Sequence, residues 1–145
     1  MTAPRREDDS LCTCFKLRRA TRRVTQIYDR HLHPTGLRIT QFGLLARLRA
    51  APLHMTELAD RMGMDRTTLT RNLRPLERLG YVAVDPGEDR RTRTVAITPV
   101  GRLALSAAAP RWREAQAAVR EALGPTLTEA LHGLLDRAFA DLSAA

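Results

Sequence analysis

Residues Met55 to Gly101 read MTELADRMGMDRTTLTRNLRPLERLGYVAVDPGEDRRTRTVAITPVG, and the periodicity of this stretch decides the fold. Thr56 suits a helix N-cap, and Glu57 to Met62 reads as one short helix. Gly63 and Met64 break it in a tight turn. Asp65 then caps a second helix whose apolar positions Leu69, Leu73, Leu76 and Leu79 fall at spacings of three and four. Gly80 suits the position just past a helix end. After it the period becomes that of a strand: Tyr81 to Val84, a turn at Asp85-Pro86-Gly87, and a return from Arg93 to Ile97. Helix, short turn and helix, followed by a basic hairpin, predicts a winged helix-turn-helix that reads DNA.

Working outward, Leu53-His54-Met55 can add a short strand against the wing. Upstream, Thr40 reads as the cap of a helix from Gln41 to Ala50 with Phe42, Leu45 and Leu48 inward, closed by Pro52. Further upstream, Met1 to Asp9 is polar and charged, and Ser10 can cap a long helix to about His33. Its apolar stripe is Leu11, Cys14, Leu17, Val24, Ile27, Tyr28 and Leu32; Lys16, Arg19, Arg22, Arg23 and Arg30 occupy the other face. Downstream, Thr98 reads as an N-cap with Pro99 at the first helical position, opening a helix to about Leu123. Leu103, Trp112, Val119 and Leu123 mark its apolar side, and Pro110 should kink or split it. Gly124-Pro125 breaks the chain. Thr126 should cap a last helix with Leu127, Leu131, Leu134, Leu135, Ala138, Phe139 and Leu142 along one side.

The expected class is therefore mainly α with a small β-wing. Residues 37–98 form the winged helix-turn-helix, and 10–36 with 99–145 form a helical dimerisation region. The outer helices carry more apolar face than a small monomer would cover, so first and last helices should pack together and against those of a second copy. A twofold homodimer would offer two recognition helices to successive major grooves, about 34 Å apart.

Composition agrees with that reading. Of 145 residues, 24 are Lys or Arg and 16 Asp or Glu, a net charge of +8 that favours a polyanionic partner. No apolar run approaches the roughly 20 residues a membrane span needs, and MTAPRREDDS lacks the core of a signal peptide. A cytoplasmic protein with reduced Cys12 and Cys14, and no membrane partner, is expected.

Over essentially its whole length the chain resembles the MarR family of bacterial transcription regulators. The wing supplies Asp89 and Arg91 of an Asp-x-Arg pattern, then Thr98 and Gly101. Leu37-Arg38-Ile39-Thr40-Gln41-Phe42 resembles the family's lead-in segment. Leu58-Ala59, Thr67-Thr68-Leu69-Thr70 and Leu76-Glu77 with Gly80 resemble its helix-turn-helix. The resemblance implies a triangular dimer, a palindromic double-stranded operator, and repression relieved by a small molecule or by thiol oxidation.

With Leu69, Leu73 and Leu76 inward, the second helix shows Arg66, Thr67, Thr70, Arg71 and Arg74 outward. Arginine there can take guanine O6 and N7, while threonine can bond phosphate or touch a thymine methyl. In the wing, Arg90, Arg91 and Arg93 crowd a hairpin whose tip can enter the narrow minor groove. Arg91 fits the family pattern as the inserted residue and Arg90 is its rival. Asp89 would repel phosphate, so its expected job is to pair with Arg91 or hold the turn.

Three readings of Cys12 and Cys14 stand side by side. Cys14 can be a small buried hydrophobe on the helix stripe. The organic-hydroperoxide-sensing branch of the family is similar in having a reactive cysteine here, followed by Phe, as in Cys14-Phe15, with a tyrosine matched by Tyr28; its second tyrosine is replaced by Arg18. Arg18, Lys16 and Arg19 still supply cations that suit thiol chemistry. Capture of a soft metal or metalloid by both thiols is the third, although residues two apart on a helix diverge by roughly 200°. No tetrahedral zinc set is apparent, and no resident metal or cofactor is expected. A small aromatic or oxidant effector is the expected trigger, with Tyr28, His31 and Trp112 as candidate pocket residues.

Different function classes compete. Cys14 and His31 suggest a nucleophile and base, but seventeen residues on one helix separate them by about 25 Å. No phosphate loop or nucleophile elbow occurs, so an enzyme is not expected. A helical protein-interaction module, or a metal-responsive regulator, is the alternative to a dimeric repressor.

Overall fold

The structure, a computed structural model, describes residues 11–89 and 92–145. The elements run α1 (Thr13–Leu32), a 3₁₀ turn (His33–Thr35), α2 (Ile39–Leu48), β1 (Leu53–His54), α3 (Met55–Met62), α4 (Arg66–Arg78), β2 (Val82–Asp85), β3 (Thr94–Ile97), α5 (Pro99–Leu123) and α6 (Pro125–Ser143). The three strands form an antiparallel sheet in the order β1-β3-β2, with Leu53 opposite Val95 and Val82 opposite Ile97. The fold is thus mainly helical with a small wing, as the periodicity predicts.

One core joins these elements. Leu32 of α1, Leu44, Leu45 and Leu48 of α2, Leu58 of α3, Leu69, Leu73 and Leu76 of α4 and Val95 of β3 are almost completely buried. Leu105 and Ala108 of α5 belong to the same cluster. The helix-turn-helix is therefore built onto α2, the sheet and the start of α5, and α1 packs along α5.

Several helix starts differ from expectation, and at α2 and α3 a partner outside the helix satisfies the orphan N–H. Ser10 lies outside the described residues, and Cys12 caps α1, its Sγ accepting from the Phe15 N–H at 3.4 Å. Helix α2 begins at Ile39, before Thr40: Asp29 Oδ1 of α1 accepts from the Ile39 N–H at 2.8 Å, and Gln41 Oε1 from the Arg38 N–H at 3.0 Å. It ends at Leu48, short of Ala50. Helix α3 begins at Met55, before Thr56, because the Met55 N–H donates to the Arg93 carbonyl of the hairpin at 2.9 Å. Helix α6 begins at Pro125, with Gly124 rather than Thr126 at the cap position.

The apolar rows also change. Leu79 is the C-terminal cap of α4 and is 51% exposed, and Leu103 is 72% exposed. On α5 the core side is set by Gly101, Leu105, Ala108 and Ala115, which turns Leu103 away. Helix α5 runs unbroken through Pro110, which neither splits nor ends it. The carbonyl it deprives of a partner belongs to exposed Ser106, where water can replace the lost bond. Of the expected α1 stripe only Leu32 is buried; Cys14, Leu17 and Val24 are exposed, as are Leu134, Phe139 and Leu142 of α6. Within the chain α1 and α6 each pack on α5.

The junction between wing and α5 is the tightest point of the fold. Thr98 caps α5 through its Oγ1, which accepts from the Gly101 N–H at 3.0 Å and donates to the Gly80 carbonyl at 2.5 Å. The Thr98 N–H donates to the Tyr81 carbonyl at 3.0 Å. A Cβ on Gly101 would collide with that carbonyl oxygen and lie 2.9 Å from Ile97 Cγ1. Gly101→Ala should therefore destabilise the protein by about 3 kcal/mol, read as a lower urea midpoint at unchanged slope. Thr98→Ala, which removes the cap and the bond to Gly80 but adds no clash, should cost less, about 1–2 kcal/mol.

Candidate nucleic-acid interface

Helix α4 presents the surface. Asp65 caps it as expected, its Oδ1 accepting from the Thr68 N–H at 2.7 Å. Burial of Leu69, Leu73 and Leu76 turns the opposite face outward. Arg66, Thr67, Thr70, Arg71 and Arg74 line an open cleft of about 480 Å³, which Met55 and Arg93 complete from α3 and the hairpin. Six of the eight expected contact residues thus share one cavity whose lining, among the described residues, includes no carboxylate. The other two, Arg90 and Arg91, lie outside the described residues.

The site differs in detail from its reading in sequence. Thr70 donates its hydroxyl proton to the Arg66 carbonyl at 2.8 Å, leaving its methyl and an acceptor toward the cleft. Arg93 is anchored at its backbone by Met55, and its Nε is buried without a hydrogen-bond partner among the described residues. Asp89 holds the wing turn: its carbonyl accepts from the Thr92 N–H at 2.9 Å and hydroxyl at 2.8 Å. Thr92 was invisible to sequence reading, since a threonine between arginines carries no pattern of its own.

A second cleft, of about 650 Å³, lies between α1, α2 and α5. Tyr28 and Trp112 line it, with Phe42, Met62 and the arginines Arg47, Arg49 and Arg113. Trp112 stacks on Phe42 with ring centroids 5.7 Å apart. The Tyr28 hydroxyl donates to Gln116 Oε1, and burial pushes its pKa above the ordinary 10.0, so it remains a donor near neutral pH. His31 is not part of this lining; it faces Glu114, with Nδ1 3.8 Å from the carboxylate. The sequence marks Phe42 only as an inward residue of its helix, and its sharing of a cleft with Trp112, Arg47, Arg49 and Arg113 arises because α2 and α5 come together only in the folded chain.

Both cysteines are exposed on this chain, so Cys14 is no buried hydrophobe here. Tyr28 stands fourteen residues beyond Cys14 on the same helix, about 21 Å away, so they do not meet within one chain. Among the described residues no helix is long and apolar enough to cross a membrane.

Residues 35–92 match the profile of the MarR family. The transcriptional regulator MosR of M. tuberculosis, solved in complex with DNA, is 44% identical with a TM-score of 0.76, covering 89% of this chain and 97% of that one. The transcriptional repressor CouR, known from Rhodococcus jostii RHA1 and solved on a 23-mer DNA duplex, is 27% identical with a TM-score of 0.78, covering 94% and 98%. An uncharacterized HTH-type transcriptional regulator of Bacillus cereus is 31% identical over 97 residues, or 66% of this chain. That match spans about 65% of the relative's own length.

Asp65 supplies a test of the local geometry. The Thr68 N–H, before any other group, holds its carboxyl below the usual value of 3.8. A depressed folded-state pKa means that the cap stabilises fully above the ordinary carboxylate value and is lost as pH falls through the folded value. The stability gap between wild type and Asp65→Ala should be constant near neutrality and close progressively below about pH 4, in denaturation curves recorded against pH.

Proposed function

The chain belongs to the MarR family, and from that premise we propose that it is a homodimeric, sequence-specific DNA-binding transcriptional regulator, acting as a repressor. The observation that carries this reading is the α4 cleft, where four arginines and two threonines from α4 and the wing converge. Arg71 and Arg74 suit guanine edges, Thr67 and Arg93 suit phosphate, and Arg91 or Arg90 suits the minor groove. The exposed apolar rows of α1 and α6 support pairing of two copies, with Leu17, Leu134 and Leu142 among the uncovered side chains. MosR and CouR, both solved with DNA, support the same partner.

Release by a small molecule is favoured by the second cleft. Its aromatic wall and three arginines suit a planar aromatic acid, and CouR has also been solved bound to p-coumaroyl-CoA. Such a ligand would touch α1, α2 and α5 together, so it would prefer one placement of head against platform over another. Thiol oxidation is the second trigger, favoured by two exposed thiols, one of which caps α1.

Arg71→Ala should weaken operator binding by about 1–3 kcal/mol and relax its sequence preference. Arg91→Ala should weaken it severely, with dimer and fold retained in sedimentation and circular dichroism. Full affinity of both variants at physiological salt would remove α4 and wing from DNA reading.

The trigger separates in a second experiment. Aromatic acids should release the operator from wild type and Cys14→Ser alike but not from Trp112→Ala, whereas peroxide should fail on Cys14→Ser. A Cys14→Ser protein that still responds to oxidant would exclude that thiol.

A further inference from the structure

Helix α6 does more than return along α5. Near its C-terminal end, Phe139 reaches the elbow between α3 and α4. A Cβ built on Gly63 would lie 3.0 Å from Phe139 Cε2 and 3.6 Å from Cζ, so the ring rests against the bare Cα of this glycine. Gly63 also has φ +63°, the left-handed region that side chains rarely adopt. The elbow thus excludes a side chain at this position twice over, once for its backbone and once for the ring.

This elbow is short and stiff. The Gly63 N–H donates to the Asp60 carbonyl at 3.1 Å and the Met64 N–H to the Ala59 carbonyl at 2.9 Å. Asp65 then caps α4 directly, so only Met64 separates Gly63, the C-cap of α3, from the α4 cap. Arg66 and Thr67, the first residues of the cleft, follow at once. Whatever presses on Gly63 bears on the start of the recognition helix. The far end of that helix is already fixed to α5 through Thr98 and Gly101. Both ends of α4 are therefore tied to platform helices, one by α5 and one by α6.

We propose that Phe139 is a positioning residue for DNA recognition, a strut by which α6 holds the α3–α4 elbow and aims the first turn of α4. The role rests on the DNA-binding reading, but the contact can be tested without DNA. Packing by a single aromatic ring sets the scale of the effect. Full-length Phe139→Ala should remain dimeric in sedimentation, yet show faster amide exchange at Gly63 and Met64. It should lose about tenfold in operator affinity while binding random DNA as wild type does, because the phosphate contacts survive and only their aim is lost. Phe139→Leu, which keeps apolar bulk on the elbow, should recover most of that loss and serves as the probe if the alanine variant does not fold. Unchanged exchange at the elbow, unchanged operator affinity, or equal loss on operator and random DNA would overturn the proposal. A monomeric Phe139→Ala would overturn it too, by assigning the ring to subunit pairing. Failure of wild type itself to bind any operator would sink the DNA-binding reading and the aiming role, while elbow exchange would still judge the contact.

Discussion

The Tyr81 carbonyl oxygen is the point on which the rest of the molecule depends. It accepts the Thr98 N–H and sits where any side chain on residue 101 would stand. The Tyr81 N–H returns to the Leu76 carbonyl at 2.9 Å, so one residue binds the last turn of α4 to the start of α5 through both of its flanking peptide groups. Thr98 adds a third bond, to Gly80. Recognition helix, sheet and platform helix thereby meet in one hydrogen-bonded joint with no slack. The core then fills in around it, with Ile97 and Leu105 on either side of the junction.

Electrostatics and packing divide the molecule cleanly. Leucines at spacings of three and four commit one face of α4 to the core, and this alone dictates that its arginines face outward. The cluster of like charge they form with Arg93 is costly without an anion, and a phosphate backbone supplies one. The second cleft combines stacked Phe42 and Trp112 with cations. Each cavity draws on elements far apart in sequence, so their chemistry comes from the fold and not from any one motif.

What could be read from the sequence was what is decided locally. The Asp65 and Thr98 caps, the Gly63 turn and the period of the α4 leucines all depend on neighbours within a few residues, while the strand at Leu53-His54, which pairs with Val95 and Thr94, was legible from its place beside the hairpin. Thr40 and Thr56 are good caps by type, but Asp29 and the Arg93 carbonyl set those starts, and Pro125 opens α6 one residue ahead of Thr126. Leu103 fits a helical period equally well, yet the period cannot tell which face a partner covers. His31 had the right helix and the wrong side. Phe139 against Gly63 had no sequence signal at all, because seventy-six positions separate ring and elbow.

Helix α5 spans 25 residues, from Pro99 beside the joint to Leu123, with Gly124 just beyond its end. At the ordinary rise this is a rod of about 37 Å. A tilt of only about 5° at one end sweeps the other through about 3 Å, and a joint without slack passes that sweep on undiminished. The major groove is about 12 Å wide, so a sweep of that size is a quarter of its width, and the core packing of Leu105 and Ala108 is what opposes it.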